Sequence, residues 1–216
     1  MKKTFYVLLS IILLFVASSC GTEEPSNVDV SQLPASGADE DDIENDAADN
    51  LNNSSNIGDK KILVAYFSRS GNTEAVAKMI NEQVGGDFLQ IKTADPYPQD
   101  YDDVLGKAQE EKRENARPKL DLEIEDISGY DIVFIGYPIW FGDTPMAILT
   151  FLEGNDFSDK TLIPFCTSGS TSPQDSYGTI KNAASESNIL EGFWTTGSET
   201  ADARDDIVKW LSGLDI

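Results

Sequence analysis

The sequence contains no histidine and only two cysteines in 216 residues. Without histidine, the chain itself has neither the Ser-His nor the Cys-His arrangement of nucleophilic catalysis, and it has no imidazole metal ligand. The cysteines are Cys20 and Cys166. We expect no metal site and no catalytic residue among the protein's own side chains.

Basic residues are also scarce, with 16 Lys and Arg against 38 Asp and Glu and a formal net charge of −22. This charge repels polyanions, so nucleic acid is excluded as a partner. Residues 21–59 contain no Lys or Arg and are rich in Asp, Glu, Ser and Asn, without apolar periodicity. Such a segment buries too little apolar surface to offset its ordering entropy. We predict an acidic disordered tether over residues 20–59; an acidic docking tail is the alternative.

A long apolar run is found only at the N-terminus, from Phe5 to Ala17, after Lys2 and Lys3. A spanning helix needs about 20 apolar residues, so this pattern predicts a signal peptide over residues 1–19. The sequence Ala17-Ser18-Ser19-Cys20 resembles a bacterial lipobox, which implies a secreted chain lipidated at Cys20 and attached to the membrane only through that lipid. An ordinary signal peptide is the alternative. With Cys20 acylated, Cys166 has no partner, and no disulfide is expected.

Residues 60–216 alternate between buried-strand and helix patterns. Strands are predicted at residues 61–67, 87–92, 130–137, 161–166 and 190–195, and helices at residues 72–84, 101–115, 145–152, 174–186 and 201–211. This alternation predicts one α/β domain with a doubly wound, five-stranded parallel sheet. We predict the strand order 2-1-3-4-5, which is common among doubly wound sheets. In such sheets, ligands bind beyond the carboxyl ends of the strands, at the topological switch point. The loops after strands one, three and four should therefore carry the function.

The loop after the first strand is polar and leads directly into a helix. It reads Ser68-Arg69-Ser70-Gly71-Asn72-Thr73. The glycine permits a tight turn, and the N–H groups and dipole of the following helix favour an anion there. No lysine follows, so this is not a nucleoside-triphosphatase loop. The pattern suits one phosphate monoester; an ordinary capped turn is the alternative.

The other two loops add aromatic and hydroxyl groups at the same predicted edge. The loop after the third strand contains Pro138, Ile139, Trp140, Phe141 and Gly142, and the loop after the fourth contains Thr167, Ser168, Gly169 and Ser170. An aromatic ring beside a cleft can stack on a planar heterocycle. A tryptophan packed on the sheet edge or in an interface is the alternative.

These three loops resemble those of the flavodoxin family. Residues 68–73 match the family's phosphate loop, S/T-x-T/S-G-N-T, at every defined position. The second loop is similar to the P-x-W-x-G-D-x-P pattern of bacterial flavodoxin-like proteins, and the third agrees by position and residue type. The resemblance implies a flavodoxin-like fold and non-covalent FMN, with the phosphate in the first loop and the isoalloxazine between the other two.

The resemblance leaves the activity open. The acidic surroundings oppose a fully reduced, anionic flavin, which favours a one-electron carrier serving a redox partner protein or a small-molecule electron donor or acceptor. An FMN-dependent NAD(P)H:quinone-type oxidoreductase is the alternative within the fold, and a flavin-free surface binding module is an alternative of another class. Cys166 is expected to be a small buried hydrophobe rather than a redox thiol. Tyr97 and Tyr101 either edge the flavin or pack their own loop.

Overall fold

A computed structural model describes residues 58–216 of the chain. The signal peptide at residues 1–19, the lipidation at Cys20 and nearly all of the tether lie outside the described residues. These features stay predictions, as does the domain boundary at residue 60.

The described residues form the predicted alternation of strands and helices. The strands are β1 Ile62–Tyr66, β2 Asp87–Gln90, β3 Lys92–Thr93, β4 Leu120–Asp121, β5 Ile132–Pro138, β6 Thr161–Ser168, β7 Asn188–Ile189 and β8 Phe193–Thr196. The helices are α1 Asn72–Val84, α2 Tyr101–Glu114, α3 Met146–Glu153, α4 Gln174–Ala183 and α5 Arg204–Ser212, with a 3-10 turn at Thr200–Asp202 before α5. The predicted doubly wound α/β class is confirmed.

The main sheet is parallel and runs in the order β2-β1-β5-β6, with β7 and β8 both paired to β6 on its far side. The prediction of one continuous fifth strand over residues 190–195 is wrong: β7 pairs with the start of β6 and β8 with its end. The carbonyl of Leu162 in β6 accepts a hydrogen bond from Leu190 N, so it points to the side of β6 where β7 and β8 lie. The backbone of Pro164, two residues later in the same strand, points to that side as well. Because proline has no N–H, the ladder is interrupted there.

A second, two-stranded sheet was not predicted. It pairs β3 with β4 in antiparallel orientation, Lys92 opposite Asp121 and Thr93 opposite Leu120. Strands of two residues carry too little periodicity to be recognised in a sequence. The ribbon lies just beyond β2, and it becomes relevant to a second cavity described below.

The core lies on both faces of the sheet. All of β1 is buried, as its continuous apolar run predicts for a parallel strand covered on both faces. One face packs against residues of α1 and α5, such as Val76 and Ile207, and the other against residues of α3 and α4, such as Phe151 and Ile180. No helix within residues 58–216 is long and apolar enough to cross a membrane. The carboxyl ends of β1, β5 and β6 share one edge, and the three predicted loops follow them there.

Candidate functional site

The first loop leaves the N-terminus of α1 open. Gly71 is its N-cap, with φ of 89°, and no side chain caps the first turn. The hydroxyl of Ser68 instead accepts a hydrogen bond from Gly71 N at 3.2 Å and so shapes the loop. The first N–H groups of a helix have no partner within it, and they carry the positive end of the helix dipole. An anion can therefore bind here.

The base of the site joins the first and third loops. The hydroxyls of Thr73 and Thr167 lie 2.9 Å apart, and these residues are 1% and 3% exposed. Asn72 packs closely on Gly197, where a Cβ would come within 2.6 Å of its Nδ2 atom. Gly197 N in turn donates to Ser168 O at 2.8 Å. Three separate segments are thus fixed around the start of α1.

The second loop forms a tight turn at residues 140–143. Trp140 N donates to Asp143 O at 2.9 Å, and Asp143 N donates to Trp140 O at 3.0 Å. The two central residues, Phe141 and Gly142, have φ of 50° and 76°. A type I′ turn requires a positive φ at both central positions. A positive φ is unusual for a bulky residue such as Phe141. This conformation leaves the Phe141 side chain 44% exposed.

Two helices hold that turn in place. From α2, Lys112 Nζ donates to the carbonyl oxygen of Phe141 at 3.0 Å and lies 3.4 Å from Asp143 Oδ2. From α4, Thr179 Oγ1 donates to Asp143 Oδ1 at 2.7 Å. The backbone N–H of Thr144 donates to the same carboxylate oxygen at 2.8 Å. The unusual backbone is therefore supported by side chains from outside the loop.

Trp140 belongs to a cluster of three aromatic rings. Its ring centroid lies 5.2 Å from that of Phe67 and 5.1 Å from that of Tyr97, edge to face in both cases. Tyr97 donates its phenolic hydrogen to Glu111 Oε2 at 2.6 Å. Burial, reinforced by this bond to Glu111, raises the pKa of the Tyr97 phenol well above its ordinary value. Trp140 thus packs at the sheet edge and also faces the cavity described next.

A cavity of about 410 Å³ opens between the three loops. Most of the predicted site residues line it: Arg69, Ser70, Asn72, Thr73, Pro138, Ile139, Trp140, Phe141, Thr167, Ser168 and Gly169. Ser68, Gly71, Gly142 and Ser170 lie in the same loops but not on the cavity wall. For Ser68, Gly71 and Gly142, the contacts and φ values above show a role in loop conformation. The volume lies within the range of about 300–1,000 Å³ that is usual for small-molecule sites.

Part of the wall was not predicted from the sequence. Val104, Leu105 and Ala108 of α2 line the cavity, and so does Gly197. Tyr101, which was expected either to edge the flavin or to pack its own loop, also lines it. The apolar residues of α2 are at helical spacing, which predicts a core-facing stripe but does not reveal that one end of the stripe borders a cleft. Gly197 gave no signal, since its role depends on Asn72 lying against it in space.

The Cys166 thiol is not available to the site as a nucleophile. Cys166 is fully buried, and burial raises the pKa of its thiol from 9.0 to about 12, so it stays protonated at neutral pH. Among residues 58–216, no cluster of three or more Cys, Asp or Glu side chains is placed to hold a metal ion. The cavity offers hydroxyl, amide and N–H donors at one end and apolar and aromatic surface at the other. It is suited to binding a group with a phosphate and a planar ring.

A doubly wound parallel sheet, with an open helix N-terminus and an aromatic wall at its switch point, defines a flavodoxin-like domain. Residues 61–214 match the family model described as flavodoxin. The chain belongs to the flavodoxin family.

Individual relatives agree with this assignment. A flavodoxin of Haemophilus influenzae is 29% identical over 101 residues, which are 45% of this chain and 44% of the relative, so the match spans less than half of either protein. The crystal structure of a Bacteroides uniformis protein, provisionally described as a flavoprotein, is 34% identical to this chain with a TM-score of 0.63. The match covers 70% of this chain and 97% of the Bacteroides chain. A Lactobacillus acidophilus flavoprotein in complex with FMN is 24% identical, with a TM-score of 0.56, and covers 66% and 97%; it shows likeness of fold.

Proposed function

We propose that the chain binds FMN without a covalent bond and carries single electrons through it. One observation supports this most strongly: the uncapped start of α1 and the aromatic turn at residues 140–143 lie at one cavity. The flavodoxin family and the FMN held by the Lactobacillus protein of the same fold support the choice of cofactor.

The phosphate would be held at the start of α1. Ser70 and Asn72 line the cavity with a hydroxyl and an amide, and the first-turn N–H groups add backbone donors. Hydrogen bonds to a charged phosphate are stronger than those to a neutral group. Thr73 offers a second hydroxyl, although it is already bonded to Thr167. No lysine is required for this kind of anion binding.

The ring system would lie against the second and third loops. Trp140 and Phe141 supply aromatic surface, and Ser168 and Gly169 also line the cavity. When bound, FMN supplies the redox chemistry, and the protein's contribution is binding, orientation and exclusion of water. The support that Lys112 and Thr179 give to the turn at residues 140–143 would fix the orientation of that surface.

Charge favours a carrier over a hydride-accepting reductase. Residues 60–216 contain 27 Asp and Glu against 14 Lys and Arg, and such a field disfavours a fully reduced, anionic flavin. A surplus of carboxylates also disfavours anionic nicotinamide nucleotides as reductants. The complete phosphate loop and the cavity argue against a flavin-free binding module.

We further propose that the carrier acts outside the cytoplasmic membrane, attached to it through a lipid on Cys20. The sequence Ala17-Ser18-Ser19-Cys20 supports this proposal. Phase partitioning of the expressed full chain in a detergent tests it. The parent should enter the detergent phase, and Cys20→Ala should be soluble or unprocessed. Unchanged processing and membrane association in Cys20→Ala would contradict lipidation.

Stepwise anaerobic reduction followed by visible absorption distinguishes carrier from reductase. A carrier should accumulate the one-electron-reduced flavin between the oxidised and fully reduced forms. NADH or NADPH alone should reduce it only slowly. Direct passage to the fully reduced flavin, with rapid bleaching by either nucleotide, would favour the NAD(P)H:quinone-type oxidoreductase instead.

A further inference from the structure

A second cavity of about 590 Å³ lies beside the first, at the ends of β1 and β2 and against the small sheet of β3 and β4. Among the residues lining it are Phe67, Arg69, Lys92, Tyr97, Gln99 and Asp121. Ser68 and Arg69, which begin the phosphate loop, line this cavity, whereas the loop's other donors Ser70, Asn72 and Thr73 line only the first, as does the turn at residues 140–143. It is therefore a separate space, for which the proposed cofactor provides no occupant.

The two cavities share a wall of aromatic rings. Phe67 and Tyr97 line the second cavity, and Trp140 lines the first. The centroid of the Phe67 ring is 5.5 Å from that of Tyr97, and both rings contact Trp140. A ligand in the second cavity would thus be separated from the cofactor site by this aromatic layer, with Arg69 bordering both spaces.

The second cavity has a positive lining in a protein of strongly negative charge. Arg69 and Lys92 are its cations, against one lining carboxylate, that of Asp121. Arg69 uses one guanidinium nitrogen to donate to Gln99 O at 2.8 Å, which fixes the group while leaving other donors. Lys92 approaches Glu123 only to 3.9 Å, and both side chains are well exposed, so this ion pair contributes little.

We propose that this second cavity binds a planar aromatic anion, of the class of quinones that bear an acidic substituent. Phe67, Tyr97 and two prolines, Pro96 and Pro98, supply the flat apolar surface, and Lys92 and Arg69 bind the acidic group. The ligand's role as electron acceptor rests on the proposed FMN function; its binding does not. Because the aromatic wall keeps the ligand from contact with the cofactor, a single electron can pass from the reduced flavin, which is oxidised, to the quinone, which is reduced, but a hydride cannot.

The test uses the full chain, with and without FMN, and anthraquinone-2-sulfonate as the probe. Isothermal titration measures the affinity for the parent, for Lys92→Gln, and for Lys119→Gln as a matched control that removes an equal charge outside the cavity. We expect binding with and without FMN, weakened ~10-fold in Lys92→Gln, as loss of one charge-assisted hydrogen bond implies, and unchanged in Lys119→Gln. A neutral anthraquinone alcohol should bind the parent more weakly than the sulfonate.

Two results would overturn the proposal. One is competition between FMN and the probe, which would place the probe in the cofactor cavity. The other is equal weakening in Lys92→Gln and Lys119→Gln, which would show general attraction to cations. Titration with FMN is done on each variant as well. If no variant binds FMN but the probe still depends on Lys92, the proposed function fails while the second site stands.

Discussion

The ammonium group of Lys112 donates a hydrogen bond to the carbonyl oxygen of Phe141 at 3.0 Å, across 29 residues of sequence. The acceptor is the carbonyl of the peptide that joins the two positive-φ residues of the turn, Phe141 and Gly142. A bond from α2 thus fixes the orientation of a peptide that a turn alone would leave free to rotate. This contact connects the scaffold directly to the wall of the cofactor cavity.

Removing the Lys112 ammonium should loosen the turn. We expect Lys112→Met to speed amide hydrogen exchange at residues 141–143 and to lower stability by about 1 kcal/mol or less, since this lysine is partly exposed. Lys107→Met is the matched control on the same helix, because Lys107 pairs with Asp95 at 2.7 Å instead. Equal exchange at residues 141–143 in the two variants would show that Lys112 does not hold the turn.

Gly142 should not tolerate a side chain well. Its φ of 76° lies in the left-handed region, which costs an L-residue ~1–2 kcal/mol. We expect Gly142→Val to lose at least that much stability and to reduce the accumulation of one-electron-reduced flavin. Gly106→Ala, within α2, adds a Cβ that meets no atom within 4 Å apart from the helix's own neighbouring backbone, so it should be neutral or stabilising. Urea unfolding measures the stability of the two variants, and stepwise anaerobic reduction measures the accumulation of one-electron-reduced flavin in Gly142→Val. A Gly142→Val variant as stable as the parent would contradict the turn.

A variant at Thr73 should lower the stability of the flavin-free chain, whereas a variant at Ser70 should affect cofactor affinity and leave that stability unchanged. Thr73→Val leaves the buried Thr167 hydroxyl without its partner at 2.9 Å, which should lower the free energy of unfolding by ~1–3 kcal/mol. Ser70→Ala removes a hydroxyl at the cavity without breaking a bond of this kind, so the unfolding free energy of the flavin-free chain should be unchanged. A stability loss that is equal in both variants would contradict this division.

Burial of Cys166 should make the protein less stable in alkali. Burial raises the pKa of its thiol from 9.0 to about 12 in the folded state. Below pH 9 both states are protonated, and stability does not depend on this group; from pH 9 to about 12 the unfolded state loses its proton first, so stability falls as pH rises. In that range, the free energy of unfolding of Cys166→Ala should fall less steeply with pH than that of the parent, by up to ~1.4 kcal/mol per pH unit. An unchanged slope would contradict burial of the thiol.

The sequence predicted the scaffold well because the scaffold depends on local periodicity. The apolar run at β1 and the helical spacing in α1 are strong patterns, and α1 has the predicted bounds Asn72–Val84. The break between β7 and β8 was missed because it depends on the missing N–H of Pro164 on the neighbouring strand. A partner across the sheet is not visible in a strand's own residues.

The candidate site, like the scaffold, was predictable only in part. The three loops were predictable because topology places the ends of parallel strands at one edge. The support of the turn at residues 140–143 by Lys112 and Thr179 was not, since those side chains come from helices distant in sequence. Arg69 was predicted only as a member of the phosphate loop. That it borders two cavities follows from the path of residues 94–99, which shows no periodicity.

The central claim is that FMN binds with its phosphate at the start of α1. Isothermal titration of the flavin-free full chain with FMN and with riboflavin tests it most directly. We predict that FMN binds much more tightly than riboflavin, which lacks the phosphate, and that Ser70→Ala weakens FMN by ~1–3 kcal/mol while leaving riboflavin nearly unchanged. Equal affinity of the parent for FMN and riboflavin, or no binding of either, would contradict the account.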